Sequence, residues 1–267
     1  MDKAGITHWD GLWSENPLPF AWAPDRPGVK QYVPRRFDEY FTRLFIPLRP
    51  TAGKTLLEIG CASSASLPYF ARQFGFAVTG IDYSEIGCRR ARAVLERERV
   101  RGPVLCADLF NPPDSLLGKF DVVVSFGVVE HFQDTAGCIA SLAKFLKPGG
   151  VLFTNIPNMT GAVGSLEKLL NRPLYDMHVP LDREALAEAH RAAGLTIVSC
   201  DYFLSTNFGV CGLTGLDRYT MSWWAKKIML ALFARLSVAV WSIEALTGNW
   251  GSGKRMSPYI NCAAYRT

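Results

Sequence analysis

Two acidic residues stand at or near the ends of short apolar runs, and their spacing is the first sign of chemistry in this chain. Glu58 belongs to the run 55–59, and Asp82 follows the run 77–81. In a parallel sheet such carboxylates meet at one edge, where an acid after the second strand reaches the ribose hydroxyls of a nucleoside. Asp82 could instead only cap the next helix. The turn of small residues that precedes Asp82 favours ligand binding over helix capping as its role.

That turn is built of small residues, Gly60-Cys61-Ala62-Ser63-Ser64, and it leads into a helical stretch. Small side chains let a ligand approach the backbone closely, and the start of a helix offers free N–H groups. Small residues also pack helices against strands, so the turn alone is a weak signal.

Two further apolar runs end in polar residues. After the third run, Asp108 could accept a hydrogen bond from an exocyclic amine, with Leu109 as an apolar contact for a flat base. Asp108 could equally be an ordinary loop residue. The fourth run, 120–126, leads through a short loop to Glu130 and His131, at the edge where such sheets bind ligands.

Three residues are candidates for removing a proton from an acceptor. His131 follows the fourth run, His178 precedes a predicted helix over 182–193, and Glu130 could act alone or pair with His131. Histidine suits this work because its pKa lies near neutrality. Loop histidines can also merely orient a strand end, and both interpretations stay open.

These residues need a scaffold in which short apolar runs alternate with helical ones. The predicted strands are Thr55–Ile59, Ala77–Ile81, Val104–Ala107, Phe120–Phe126, Val151–Ile156, Thr196–Phe203 and Tyr259–Tyr265. The predicted helices are Ser64–Phe74, Ser84–Glu98, Thr135–Leu146 and Asp182–Ala193. The alternation is typical of βαβ units and predicts a doubly wound α/β domain.

The composition is that of a folded globular chain, and its charge is uneven. Of 267 residues, 49% are hydrophobic and 20% charged, which excludes disorder, collagen and coiled coil. Residues 206–267 hold seven Lys or Arg and two Asp or Glu, so the whole formal charge of +5 falls there, with four of the seven tryptophans. Since residues 1–205 are neutral, we expect no nucleic-acid partner.

The seven cysteines point to a reducing compartment. Even the closest two, Cys200 and Cys211, are well separated, so the sequence has no CxxC pair, and we expect no metal. The stretch from Met1 to Trp13 lacks the apolar core of a secretory leader. We therefore expect a cytoplasmic protein, either free or peripheral to a membrane.

Taken together, the stretches that end these runs, with the turn Lys147-Pro148-Gly149-Gly150, resemble the motif series of class I S-adenosylmethionine-dependent methyltransferases. The chain is most similar to the small-molecule group that includes ubiquinone-type O-methyltransferases. The likeness covers about residues 51–203 and a final strand at 259–265. It implies a seven-stranded Rossmann-like sheet, mostly parallel with the last strand antiparallel. It also implies S-adenosyl-L-methionine as cofactor and S-adenosyl-L-homocysteine as product.

The resemblance also implies which residues bind the cofactor. They are Glu58, Gly60, Cys61, Ala62, Ser63, Asp82, Tyr83, Ser84, Asp108, Leu109, Ser125, Phe126 and Gly127. Asp82 would hold the ribose and Asp108 the adenine amine, with Phe126 near the sulfonium. The reaction would be in-line methyl transfer, as O-methylation of a small-molecule, glycan or lipid-linked acceptor.

Two departures from the family pattern keep other functions open. The second and third glycines of the family turn are replaced by Ala62 and Ser64. If either position needed a positive φ, the substitution would cost about 1 kcal/mol or more. A non-catalytic nucleoside-binding module is one alternative. An NAD(P)-dependent oxidoreductase is another, with the weaker turn match Gly60-x-Ala62-x-x-Ala65.

The chain divides into a cover and a domain with two insertions. We expect a helical, aromatic cover over residues 1–50 and a methyltransferase domain over 51–267. The insertion 159–181 would lie on the substrate side. The insertion 207–257 contains a mostly apolar stretch, 223–246, whose apolar residues cover most of a helical wheel. We expect a buried cap, a homodimer interface or a peripheral membrane contact there.

Overall fold

The structure is a computed structural model that describes residues 2–267, and its centre is one seven-stranded sheet. The strands are β1 Thr55–Ile59, β2 Ala77–Asp82, β3 Val104–Cys106, β4 Phe120–Phe126, β5 Leu146–Pro157, β6 Leu195–Phe203 and β7 Tyr259–Arg266. They lie in the order β3-β2-β1-β4-β5-β7-β6. Only β7 runs antiparallel to its neighbours, which confirms the predicted sheet.

Helices cover both faces of the sheet. They are α1 Ile6–Glu15, α2 Tyr32–Leu44, α3 Ser66–Phe74, α4 Glu85–Arg97, α5 Thr135–Ala143, α6 Ala162–Leu170, α7 Arg172–Asp176, α8 Arg183–Ala192 and α9 Met221–Thr247. Asp182 accepts a hydrogen bond from the Ala185 N–H and so caps α8, as the sequence predicts.

The strands build two hydrophobic cores because successive side chains point to opposite faces. Leu56 of β1 belongs to the core under α2 and α3, where Phe41 and Phe70 are fully buried. Its neighbour Leu57 belongs to the core under α5 and α8, which contains Leu142. β1 is therefore buried on both faces, as is typical of a central parallel strand, and Glu58 is its one charged residue.

The predicted helix over 135–146 is wrong at its C-terminal end. The helix ends at Ala143, and β5 begins at Leu146, earlier than the predicted start at Val151. The carbonyl of Lys144 accepts the Gly118 N–H, and that of Phe145 accepts the Phe120 N–H. This segment thus pairs with the chain that enters β4 instead of continuing the helix.

The long helix α9 forms where the apolar insertion predicts a helix, but it is not a buried cap. Only Ser237, Trp241 and Glu244 of its 27 residues are buried. Trp241 stacks on Tyr32, and the Glu244 carboxylate accepts a hydrogen bond of 2.8 Å from the Tyr32 hydroxyl. By length and composition α9 could cross a membrane, and most of its surface is uncovered in this chain.

Candidate active site

A cavity of about 820 Å³ opens at the carboxyl ends of the central strands. The strand order reverses between β1 and β4, and sheets of this type bind ligands at such a switch point. Residues from β1, β2 and β4 and from the loop after β3 line the cavity, together with Asp2, Trp9, Trp13, Trp22, Val33 and Phe37. The polypeptide before β1 therefore contributes directly to the site.

Asp82 is the residue that ties the turns after β1 and β2 together. One carboxylate oxygen accepts the Ala62 N–H at 3.1 Å, and the other accepts the Ser84 N–H at 2.8 Å. Burial raises the pKa of Asp82, and these backbone hydrogen bonds oppose that shift. A carboxylate has about four acceptor positions, so lone pairs remain for two hydroxyl groups of a ligand.

Glu58 is a second carboxylate within the cavity wall, and two serines hold it. Its Oε2 atom accepts hydrogen bonds of 2.7 Å from the hydroxyls of Ser64 and Ser66. Burial raises the pKa of Glu58 to about 7, despite these hydrogen bonds. Ser64 replaces a family glycine, and the structure shows that its hydroxyl orients Glu58.

The turn between β1 and α3 requires glycine at one position only. Gly60 has φ 75°, and a Cβ placed there would lie 2.6 Å from Cγ2 of Val128. Ala62 and Ser64 are not in the left-handed region, so neither replacement strains the backbone. Ser63 does lie in the left-handed region, with φ 55°. Its hydroxyl accepts a hydrogen bond from Arg90.

The N-terminal segment, which runs from Asp2 to Glu15, closes one side of the cavity. Asp2 accepts hydrogen bonds from the Tyr83 hydroxyl at 2.5 Å and from the Trp9 indole at 3.0 Å. Asp10 pairs with the Ser84 hydroxyl at the start of α4. Because Tyr83 follows directly after Asp82, this segment covers the ribose side of the proposed ligand position.

The cavity carries negative charge that no cation in its wall neutralises. Asp2, Glu58, Asp82 and Asp108 line it, whereas within residues 2–267 no Lys or Arg does. A dinucleotide with a pyrophosphate would place two negative charges among these acids, which is unfavourable. A ligand with positive groups is stabilised there, and this favours a sulfonium- and ammonium-bearing nucleoside over NAD(P).

His131 lies in the cavity wall, and His178 lies behind it. Their ring centroids are 4.7 Å apart, and the Trp9 ring meets the edge of His131 at 5.0 Å. Burial and, to a smaller extent, the neighbouring His178 lower the pKa of His131 to about 4, so its ring is neutral at pH 7. Burial also lowers the pKa of His178.

Several of the predicted site residues lie outside the cavity wall. Those within it are Glu58, Gly60, Ala62, Asp82, Tyr83, Asp108, Leu109, Phe126, Gly127 and His131. Those outside it are Cys61, Ser63, Ser84, Ser125, Glu130 and His178. Cys61 is predicted to bind the cofactor, but its side chain is fully buried next to Gly80 in the core, so only its backbone is available to a ligand. Ser84 instead caps α4 by accepting the Gly87 N–H.

Sequence reasoning missed the aromatic wall of the cavity. It is formed by Trp9, Trp13, Trp22, Phe37 and Tyr259 together with Phe126. Trp22 stacks on Phe37 at 5.0 Å and meets Phe126 edge-on at 5.4 Å. The aromatic-rich segment before β1 predicted a cover, but it did not indicate which of its residues would line the cavity.

Comparison with known proteins agrees with this geometry. A family model described as a methyltransferase domain matches residues 29–200. The chain is 32% identical over 157 residues to a ubiquinone biosynthesis O-methyltransferase of Thiobacillus denitrificans, which is 55% of this chain and 66% of that protein. Across three such curated relatives, the match spans 47 to 66% of their length.

The fold is shared with solved structures of low sequence identity. Geranyl diphosphate C-methyltransferase from Streptomyces coelicolor, in complex with S-adenosyl-L-homocysteine, superposes with a TM-score of 0.57 at 16% identity over 99% of both chains. A [4+2]-cyclase, SpnF, superposes with a TM-score of 0.62 at 19% identity over 100% of this chain and 96% of its own.

The chain belongs to the class I S-adenosylmethionine-dependent methyltransferases. S-adenosylmethionine is the cofactor, and the carboxylate-rich cavity fits its positive charges. This methyltransferase lacks two family glycines, and neither Ala62 nor Ser64, which replace them, has a positive φ.

Replacing Asp82 by Asn should weaken S-adenosylmethionine binding by at least about tenfold, since one charged hydrogen bond is worth roughly 1.5–3 kcal/mol. Calorimetric titration would measure the dissociation constant, and thermal unfolding would verify the fold. Asp121→Asn is the matched control, because Asp121 lies at the opposite end of β4 and binds Thr55 and Lys147. Equal affinity in the Asp82 variant and the control would contradict the ribose assignment.

Cofactor binding should weaken as the pH falls through about 7, because Glu58 is protonated there and the proton removes its attraction for an ammonium group. If only the ionised form binds well, the affinity falls up to about tenfold between pH 8 and pH 6. Titrations across this range with wild type and Glu58→Gln would test it. A pH dependence that persists unchanged in Glu58→Gln would assign the effect to another group.

Proposed function

We propose that this protein methylates a hydroxyl group of a small, lipid-linked acceptor. One observation supports this above others: a single cavity is lined both by carboxylates and by a group of aromatic rings that contact one another. We call the part lined by Glu58, Asp82 and Asp108 the carboxylate-rich end, which suits the cationic cofactor, and the part lined by Trp22, Phe37 and Phe126 the aromatic end, which suits an apolar, flat acceptor. Their continuity lets both reactants meet without water between them.

At the carboxylate-rich end, the strand-end acids would hold the cofactor. Glu58 would face the methionine ammonium, Asp82 the ribose hydroxyls and Asp108 the adenine amine. S-adenosylmethionine supplies a methyl group on a sulfonium, which a well-aligned nucleophile takes by in-line displacement. The protein's contribution is alignment and exclusion of water, and Trp9 and Trp13 of the N-terminal segment supply part of that cover.

At the aromatic end, the side chains are held in place before any acceptor binds. The Trp22 N–H donates to the Ala65 carbonyl at 3.0 Å, which anchors this loop to the start of α3. Phe37 is 3% exposed and packs against Phe203 at 4.5 Å. Preorganised aromatic walls of this kind favour a ring-shaped acceptor.

Transfer to oxygen is supported by the relatives, which are O-methyltransferases of ubiquinone biosynthesis. A neutral His131 can accept a hydrogen bond from an acceptor hydroxyl and so orient its oxygen. His178 and Glu130 do not line the cavity, so neither side chain would contact the acceptor directly.

A lipid-linked acceptor is supported by the unusual polarity of α9. Its buried face carries Trp241 together with Ser237 and its only acid, Glu244, whereas its exposed stripe carries Trp224, Ile228, Leu232, Leu236, Ile243 and Leu246. These six are 45–89% exposed and recur at helical spacing. An apolar stripe of this length in water is unfavourable unless a membrane or another protein covers it.

The positive charges on α9 favour a membrane over another protein as the cover of this exposed stripe. Lys227 extends over the rings of Trp223 and Trp224, at 4.8 and 4.9 Å. Arg235 lies on the exposed side, where its long stem lets the guanidinium reach phosphate groups. Trp, Lys and Arg side chains on an apolar helix favour the headgroup region of anionic membranes.

The buried face of α9 packs against residues of the cavity wall. Trp241 of α9 packs in one cluster with Tyr32 and Leu204, against which Val33 and Tyr259 also pack. Val33 and Tyr259 line the aromatic end of the cavity. An acceptor held in a bilayer under α9 would therefore lie close to the place where its ring is needed.

The purified protein should transfer labelled methyl groups from S-adenosylmethionine to a phenolic hydroxyl, with a kcat/KM at least about tenfold higher for a ring that bears a long alkyl chain. Burial of a few CH2 groups, each worth about 0.8 kcal/mol, is sufficient for that factor. The matched acceptor is the same ring without the chain. Transfer to amines alone would contradict the hydroxyl assignment, and cofactor binding without any transfer would favour a non-catalytic module.

The protein should float with vesicles that contain about one third phosphatidylserine, and the double variant Ile228→Glu/Leu232→Glu should stay in solution, because it places two charges in the apolar stripe. Leu169→Glu is the control, since Leu169 is 75% exposed on α6, away from α9. Sedimentation analysis without lipid tests the alternative cover. A stable dimer that dissociates in the double variant, with no vesicle binding by wild type, would overturn the membrane proposal.

A further inference from the structure

Behind the cavity wall, Glu130 is a buried carboxylate that lacks hydrogen-bond partners. It is 1% exposed, and among residues 2–267 neither side-chain oxygen has a donor within hydrogen-bond distance. Leaving such a group unpaired costs several kcal/mol, so buried carboxylates are normally paired, protonated or bound to a metal. The backbone here is fixed, since the Glu130 carbonyl accepts the Val179 N–H at 2.7 Å.

Two histidines adjoin this carboxylate, and both use the same nitrogen for support. Nδ1 of His131 lies 3.1 Å from the Met177 carbonyl, and Nδ1 of His178 lies 2.9 Å from the Leu174 carbonyl. A carbonyl only accepts, so each Nδ1 carries the proton and each Nε2 keeps a free lone pair. Histidines that bind metals are held in this manner by their second nitrogen.

The three side chains offer ligand atoms that converge. One ligand atom from each of Glu130, His131 and His178 lies within 4.8 Å of the other two. Oε1 of Glu130 is 4.0 Å from Nε2 of His131. Metal bonds of about 2.0–2.2 Å place ligand atoms about 3–3.5 Å apart, so a contraction of about 1 Å would complete the site.

We propose that Glu130, His131 and His178 bind one divalent transition-metal ion. Two imidazole nitrogens and one carboxylate suit Zn²⁺, Mn²⁺, Fe²⁺ or Co²⁺, whereas Mg²⁺ and Ca²⁺ prefer oxygen ligands. This departs from the expectation of no metal, because the ligands come from two distant parts of the sequence and form no spacing motif.

The proposal gives the metal a place in the reaction, and in this part it rests on the proposed function. Three protein ligands leave coordination positions open, and His131 lies in the cavity wall. A metal held by these three residues would lower the pKa of an acceptor hydroxyl, whose proton would pass to solvent, and the oxygen left behind would be the stronger nucleophile toward the methyl group.

Nearby charges neither form the site nor block it. Lys3 donates to the His178 carbonyl at 2.8 Å, which directs its ammonium to the backbone. Asp2 is occupied by Tyr83, Trp9 and the Ala4 N–H. The N-terminal segment would instead shield a bound ion from solvent.

Metal binding can be measured directly on the chelator-treated protein, without activity. Calorimetry with Mn²⁺ should give about one site per chain, and Co²⁺ should produce visible absorption bands of nitrogen and oxygen ligation without thiolate bands. Glu130→Gln and His178→Asn should each weaken Mn²⁺ binding by at least about 100-fold, since loss of even a supporting residue costs about 10–100-fold. Titration with Mg²⁺ should show much weaker binding.

Glu167→Gln is the matched control, because Glu167 is also buried with an unpartnered oxygen but has no histidine in its cluster. Its Mn²⁺ affinity should equal that of wild type. Wild type that binds neither Mn²⁺ nor Co²⁺, or folded variants that bind Mn²⁺ as wild type does, would overturn the metal site. Methyl transfer that persists in the metal-free protein would leave the proposed function intact. A metal-binding protein that methylates no acceptor would contradict only the function.

Discussion

The site depends on keeping carboxylates at the end of a buried sheet without positive side chains beside them. Asp82 achieves this by accepting N–H groups from both turns around it, so backbone dipoles replace a salt bridge. Glu58 achieves it through two serine hydroxyls. Because no Lys or Arg among residues 2–267 lines the cavity, a cationic ligand gains the electrostatic stabilisation that remains. The same arrangement disfavours the negatively charged pyrophosphate of NAD(P).

The strands could be predicted from sequence because burial on both faces makes them continuous apolar runs. β1 and β4 match their predicted bounds, since turns of small or polar residues enclose them. The end of α5 could not be predicted, because Phe145 is apolar and fits a helix as well as a strand. The position of Phe145 is decided by its backbone hydrogen bond with Phe120, a residue that precedes α5 and the loop before it in the sequence. Local periodicity carries no information about such pairing.

The acids of the site could be predicted, but the orientation of the small residues between them could not. Cys61 lies in the cavity turn by sequence, yet its side chain fills the core beside Gly80, and only the three-dimensional packing determines this. The aromatic wall was missed for a related reason. Trp22 and Phe37 belong to a segment without strand periodicity, and they meet Phe126 only after the chain folds back across the sheet.

The helix α9 shows why composition could not separate a buried helix from one that lies on a membrane. Its wheel is apolar on nearly every side, so the sequence alone cannot indicate which face packs inward. The structure selects the face that carries Glu244, because that carboxylate can accept hydrogen bonds from Tyr32, Ser205 and Trp250. Packing this face inward, with Trp241 beside Glu244, leaves outside the stripe from Trp224 to Leu246, which also includes Arg235. Exposed apolar side chains are unfavourable in water, so the proposed membrane contact would stabilise this orientation of the helix. Because the inward face also packs against residues of the cavity wall, α9 would then stand between the lipid phase and the site.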